Sequence, residues 1–394
     1  MINFSKQEWE DMKKFGHIEK GNEKNIAVEG LYYGGDKIVG DRIKKYEYVP
    51  FSIEEIIHAG LSNLKDKKVK LKNANDIAQE IRKALHESAG YSVIRLGDGE
   101  LIFLSHDVLN PTDSITNNPR FNFLSYAGVQ LPNHGLRDHL TEALLEADAL
   151  GIPIARYPTF QNLFTKLSKH YKWNLEKMNL VSSNIHFEIL KYTTLLDEIL
   201  KNYKVLLIGN RMAEGVEYFK KLGYENVVGN IPVKGINSVP SVIEQASQFD
   251  YDVALVSAGI PANLICVNLA KSNKIAIDFG HTIDWLLSGD FNIKSFDNGA
   301  INSSNCFDIA YYYFSWDDFK TAAFWYEKIV ELEKSSTKKS VQNLTIAHIQ
   351  LAVCYWELGD LQTAYEHNEQ ARILAPNDPS VLQNKNFFEG QLKK

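Results

Sequence analysis

The run Arg95-Leu96-Gly97-Asp98-Gly99-Glu100 is the sharpest chemical signal in the chain. It follows the apolar stretch Tyr91–Ile94 and precedes Leu-Ile-Phe-Leu, so it reads as the turn at a strand's carboxyl end. Gly97 and Gly99 let the backbone turn tightly and let a ligand approach the main chain. Asp98 and Glu100 stand two residues apart, so in an extended turn both carboxylates face one cavity. Hard oxygen donors of this kind suit Mg2+ or Mn2+ bridging a diphosphate. Arg95 carries the planar fork that pairs with phosphate. The plainer reading of the same residues is a surface turn in which Arg95 pairs with one acid.

Other strand ends carry weaker signals. In Lys204–Gly215, Gly209, Asn210 and Arg211 fall between an apolar run and a helical pattern. Backbone N–H groups at that helix start can hold phosphate, and Arg211 adds charge; the plainer reading is a loop with a capping Asn. Ser257-Ala258-Gly259-Ile260-Pro261 places a glycine turn before Pro261, a usual first helical residue. In the segment from Asp278 to Asp284, Asp278 ends a strand, Gly280 turns the chain, and His281 follows. One of the acids can orient His281, or an acid can deprotonate a hydroxyl. Ser182, Ser183, Asn184, His186 and Glu188 follow another strand and can touch sugar hydroxyls, although helix capping by Asn184 is the favoured role. Arg156 and the glycine loop Gly34–Lys37 are further candidates for phosphate contact and for covering a site.

These residues need a scaffold, and residues 76–300 supply the pattern of one. Short Val/Ile/Leu runs at 91–95, 152–156, 179–183, 203–210, 226–229, 252–259 and 274–280 suit strands buried on both faces. Helical segments lie between several of them, as in Glu214–Gly223 and Pro261–Ser272, and a helix over Leu136–Gly151 is expected to end at its glycine. Alternation of strand and helix predicts an α/β domain with a Rossmann-like, mainly parallel sheet, whose ligands bind beyond the strands' carboxyl ends. A helix starting near residue 73, with Asn75 as its cap, precedes the first strand.

Residues 1–75 are polar, with a helical stretch at 50–68, and read as an N-terminal extension. Residues 305–394 lose the strand signal, and the segment beginning at Trp316 aligns with that beginning at Leu358 at an offset of 42. In the second copy Leu351, Ala352, Tyr355, Gly359, Ala364, Ala371 and Pro376 fit a tetratricopeptide-like pattern. The expected fold is therefore α/β followed by an all-α, tetratricopeptide-like domain. Two such repeats are short of a free-standing stack, so the tail is expected to pack on the α/β domain or on another subunit. Tyr311, Tyr312, Tyr313, Trp316, Trp325 and Tyr326 read as its core.

Composition bounds the partners. The 394 residues are 44% hydrophobic and carry 43 Lys+Arg against 49 Asp+Glu, a net charge of −6. That balance argues against a nucleic-acid binder. Cys266, Cys306 and Cys354 are widely spaced and form neither a disulfide framework nor a zinc pattern. They suit a reducing compartment, so the chain is expected to be cytoplasmic, with neither a secretory signal nor a membrane span.

The Arg-Leu-Gly-Asp-Gly-Glu run after a strand, together with Asp252–Asp284, resembles the bacterial GT-D fold glycosyltransferases over about residues 76–300. That family carries an Asp-x-Glu motif. The resemblance implies a nucleoside-diphosphate sugar donor, with a UDP-sugar favoured, a divalent metal, and a glycan or glycoprotein acceptor. It implies that Asp98 and Glu100 hold the metal and diphosphate, flanked by Arg95, Gly97 and Gly99. Ser257, Ala258 and Gly259 match the later glycine turn, and Asp278, Gly280 and His281 the terminal Asp-x-Gly-His block. For the acceptor's proton, His281 and Asp284 are the candidates. The alternatives are a Rossmann-type methyltransferase and a non-catalytic scaffold whose tail recruits a protein partner or mediates self-association. Absence of a GxGxG loop counts against the first, and both acids of the motif count against the second.

Overall fold

The computed structural model describes residues 42, 50–154, 160–293 and 301–392; Arg156 and the Gly34–Lys37 loop lie outside them. The chain divides into two compact units, residues 1–70 and 71–394. In the first, helix α1 (Ile53–Asn63) starts at Ser52, whose side chain and that of Glu55 cap each other's backbone N–H groups.

In the second unit α2 (Ala74–Glu87) leads into β1 (Tyr91–Arg95). Then come α3 (Asp98–Ser105), α4 (Thr112–Thr116), α5 (Phe123–Tyr126) and α6 (His134–Glu146). Next are β2 (Ala149–Ile152), α7 (Phe160–His170), β3 (Leu180–Ser182), α8 (Ile185–Tyr192) and α9 (Leu195–Asn202). The second half of the sheet follows: β4 (Val205–Gly209), α10 (Met212–Lys221), β5 (Val227–Ile231), α11 (Val239–Ala246), β6 (Val253–Ser257), α12 (Pro261–Lys271), β7 (Ile275–Asp278) and α13 (Thr282–Ser288). The last part is helical: α14 (Ser303–Ser315), α15 (Phe319–Ser335), α16 (Val341–Glu357), α17 (Leu361–Leu374) and α18 (Pro379–Leu392).

The seven strands form one sheet in the order β3-β2-β1-β7-β6-β4-β5, and every pairing is parallel. Along β4, Val205 and Leu207 point into one apolar layer, and Leu206 and Ile208 into the other. Helices cover both, which is why these strands read as continuous apolar runs. On one face lie α3, α6, α7, α11 and α12; on the other lie α2, α8, α9, α10 and α13.

Two local expectations are corrected. The cap of α2 is Asn73, whose side chain accepts the N–H groups of Asn75 and Asp76; Asn75 instead donates to Thr321. The helix expected to run to Gly151 stops at Glu146, and the strand expected at 152–156 lies instead at Ala149–Ile152, because Ala149–Ile152 is the run that pairs with β1 and β3. Gly151 serves close approach rather than helix termination, since a Cβ there would lie 3.0 Å from Cγ of Arg95.

The repeat offset appears as matched turns. Asp318 caps α15 through Thr321 N–H, and Asp360 caps α17 through Thr363 N–H. Each cap is preceded by a left-handed residue, Asp317 (φ 57°) and Gly359 (φ 82°). Ala322 and Ala364 are fully buried where the helices approach. Of the expected aromatic core, Tyr313, Trp325 and Tyr326 are buried. Tyr311 is exposed, and Tyr312 lies at the seam, packing against both the sheet's second layer and the helical core.

Candidate active site

The helix after β1 leaves over one face of the sheet and the helix after β7 over the other. Because β1 and β7 are neighbours, the chain parts at their carboxyl ends and opens a crevice, the usual ligand position in such sheets. The last residues of β1, β6 and β7 are Arg95, Ser257 and Asp278.

Arg95 works as a strut. Its Nη2 lies 3.1 Å from Oδ1 of Asp278. Its Nη1 donates to the Ser183 carbonyl at 3.0 Å, and its backbone N–H donates to Oδ1 of Asn263 at 3.2 Å. The guanidinium expected to fork toward phosphate thus ties the ends of β1, β3 and β7 together. Asp278 also accepts the Gly280 N–H at 3.0 Å. Gly280 has φ +49°, and a Cβ there would collide with the Arg95 guanidinium and come within 3.0 Å of the His186 ring. Only glycine suits that backbone at that distance.

Around this strut lie buried polar atoms without a protein partner: Arg95 Nε, His186 Nδ1, Ser257 Oγ, Asn263 Nδ2 and Thr282 Oγ1. Each unpaired buried group costs roughly 1–3 kcal/mol, so a cluster at one end of a sheet marks where water or ligand atoms are needed. His186 is 5% exposed and stacks on Trp285 at 5.6 Å. Burial, with the charge of Arg95 adding, holds its imidazole well below the ordinary histidine range, in the neutral form. Neither Asn263 nor Thr282 stands out in the sequence as a site residue. The one signal for Asn263 was an amide inside the apolar stretch Pro261–Leu269.

Asp98 and Glu100 occupy the first turn of α3 rather than an extended turn. A helix separates such positions by about 200°, so the side chains diverge and each folds back on the backbone. Oε2 of Glu100 accepts the Gly97 N–H at 2.9 Å, and Oδ1 of Asp98 accepts the Gly99 N–H at 2.8 Å. Asp98 is exposed and Glu100 half-buried. Burial pushes the Glu100 carboxyl up to about 7, and the negative charge of Asp278 pushes the same way. An incoming diphosphate would meet carboxylates here in place of open N–H groups. Carboxylate oxygens are hard donors of the kind that suit a divalent cation whose remaining positions a diphosphate fills. Among the described residues no cluster of three or more His, Cys, Asp or Glu forms a complete metal cage.

The rim carries a second chain of charges. Nδ1 of His281 lies 3.0 Å from Oδ2 of Asp284, and Arg211 Nη1 lies 2.6 Å from Oδ1 of the same acid. Arg211 is also bidentate to Glu214, so its fork is engaged by acids. Asn210 accepts the Val233 N–H at 3.2 Å, joining two loops. Gly209 (φ +145°) passes close to the Ser257 carbonyl, and Gly259 (φ +62°) turns beside the Ala127 carbonyl. Pro261 opens α12 as expected. Asn184 sits at the start of α8, but its side chain makes no capping bond.

Residues 72–286 match the sequence profile of the GT-D fold-like domain family. No curated protein matches the chain. Solved structures that are similar include one described as the highly conserved domain of unknown function 1792 with a distinct glycosyltransferase fold. It is 15% identical, covers 58% of this chain and 85% of that one, and has a TM-score of 0.39. Another is described as a new glycosyltransferase of that domain type from Streptococcus sanguinis; it is 14% identical over 56% of this chain and 86% of its own, with a TM-score of 0.39. Among the described residues no helix is long and apolar enough to cross a membrane.

Proposed function

This chain belongs to the GT-D fold-like family, and from that premise we propose that it is a metal-dependent glycosyltransferase. It moves a sugar from a nucleoside-diphosphate sugar, a UDP-sugar for preference, to a hydroxyl of a glycan or glycoprotein. The observation that carries this reading is the first turn of α3, where Asp98 and Glu100 cover the helix's leading N–H groups beside the Arg95–Asp278 strut.

Asp98 and Glu100 would hold Mn2+ or Mg2+, which when bound neutralises charge on the departing diphosphate. The chain's own residues prepare the rest. Arg95 and Asp278 fix the ends of the central strands, so the two acids have a rigid base. His186, kept neutral, offers a hydrogen bond without adding charge. His281 is held through Nδ1 by Asp284, which leaves Nε2 for the proton of an acceptor hydroxyl.

A thermal-shift panel of UDP-, GDP-, CMP- and dTDP-sugars, each with and without Mn2+, tests the proposal. Stabilisation should be greatest with a UDP-sugar plus Mn2+ and should vanish in Asp98→Asn and Glu100→Gln, with sugar transfer falling at least a hundredfold. Wild-type turnover in both variants would remove the metal role.

A further inference from the structure

We infer that Tyr312, from the helical region beyond the family-matched span, is a positioning residue of the transferase site, acting through Glu188 and α8 on His186. This rests on the function proposed above.

Helix α8 has one end in each place. Just before it, the Ser183 carbonyl receives Arg95 Nη1, and in its first turn His186 lies against Trp285 and Gly280. Glu188 is two residues on, about 200° around the helix, and so faces away from the crevice. It is 8% exposed, and Tyr312 Oη donates to its Oε2 at 2.6 Å. The same phenol oxygen accepts the Ala74 N–H at 3.2 Å, so one hydroxyl joins α14, α8 and α2. At the far end of α8 the Tyr192 ring stacks on Tyr312 at 3.9 Å, nearly parallel. Tyr313 Oη donates to the Tyr192 carbonyl at 3.0 Å.

Glu188 makes this seam more than apolar packing. Its buried carboxylate is bonded by Tyr312 and by Ser182, and a buried carboxylate that loses a partner is costly, so the phenol helps fix where α8 sits. Two turns of helix move as a rigid body, and His186 moves with them. The buried Nδ1 of His186 and the close Gly280 contact leave little room for error at the other end.

The test uses the full chain at a temperature well below unfolding. In Tyr312→Phe the ring stack stays and only the hydroxyl is lost. The His186 ring NMR signal, assigned with His186→Gln, should shift. The donor KM should rise about threefold to tenfold with kcat within about twofold, the size of one coupled contact. Tyr311→Phe, whose side chain is exposed, should change neither. An unmoved His186 signal and an unchanged KM, with only a lower Tm, would show a merely structural role and overturn the inference. Should Tyr312→Phe fold poorly, Tyr312→Phe with Glu188→Gln replaces the stranded carboxylate by an amide, and the same two readouts decide. If the wild-type chain binds no nucleoside-diphosphate sugar, the proposed function fails, and the His186 signal alone decides the link.

Discussion

Asp278 shows how a residue's surroundings set its value. Its carboxylate faces the Arg95 guanidinium with both side chains largely out of water, and it also accepts the Gly280 N–H. Removing one member of such a pair strands the other, which costs about 3 kcal/mol, whereas an exposed pair costs under about 1. Asp278→Asn should therefore lower the urea-unfolding free energy by about 3 kcal/mol. Asp250→Asn, which breaks a surface pair with Lys204, should change it by less than about 1. Equal losses in the two variants would mean that Arg95 finds other partners. The motif acids were identifiable by type and spacing, but their direction was not. An extended turn would have aimed both into one cavity; the helix aims each at a backbone N–H, and that follows from α3 starting at Asp98.

At the scale of elements, α16 and α17 are joined by a histidine pair. His348 Nδ1 lies 3.0 Å from His367 Nδ1, so one ring donates and the other accepts. Tyr355 stacks on His367 and donates to Glu327. Burial, with His367 and Lys334 adding, pushes His348 down to about 4. Burial also lowers His367, against the raising charges of Glu327 and Glu366. The unfolded chain takes up a proton near pH 6.5 while the folded one does not. Stability from His348 is thus fully present above pH 6.5 and is lost as pH falls toward 4, with no further loss below. The loss should be on the order of 3 kcal/mol. Differential scanning calorimetry from pH 7.5 to 4 should show Tm falling over that window, and His348→Gln should flatten the slope. A variant with the wild-type slope would place the proton elsewhere.

For the whole molecule, residues 71–394 form one compact unit, although the family match ends at 286. Tyr312, Asp318 and Thr321 of the helical region bond to Glu188, Asn73 and Asn75 of the α/β part. A chain cut after residue 300 would strand Glu188 and bare Tyr192. It should unfold several degrees lower and bind a hydrophobic dye that the full chain excludes; an unchanged melting curve would show that the two parts are energetically independent. By itself the sequence determined six of the seven strand runs, the buried character of the central ones, the glycine-acid turn and the 42-residue repeat, because each is a local pattern of residue type and spacing; the second strand lies at Ala149–Ile152 rather than 152–156, and the edge strand β5 is partly exposed. Tertiary structure alone decided that Arg95 braces Asp278, that Gly151 lies inside a strand, that Arg211 is held by acids, and that Tyr312 reaches Glu188. Apart from Arg211's pair with Glu214 three residues on, those contacts join residues tens to more than a hundred positions apart, and a pairing that depends on which strands become neighbours leaves no periodic trace in the chain.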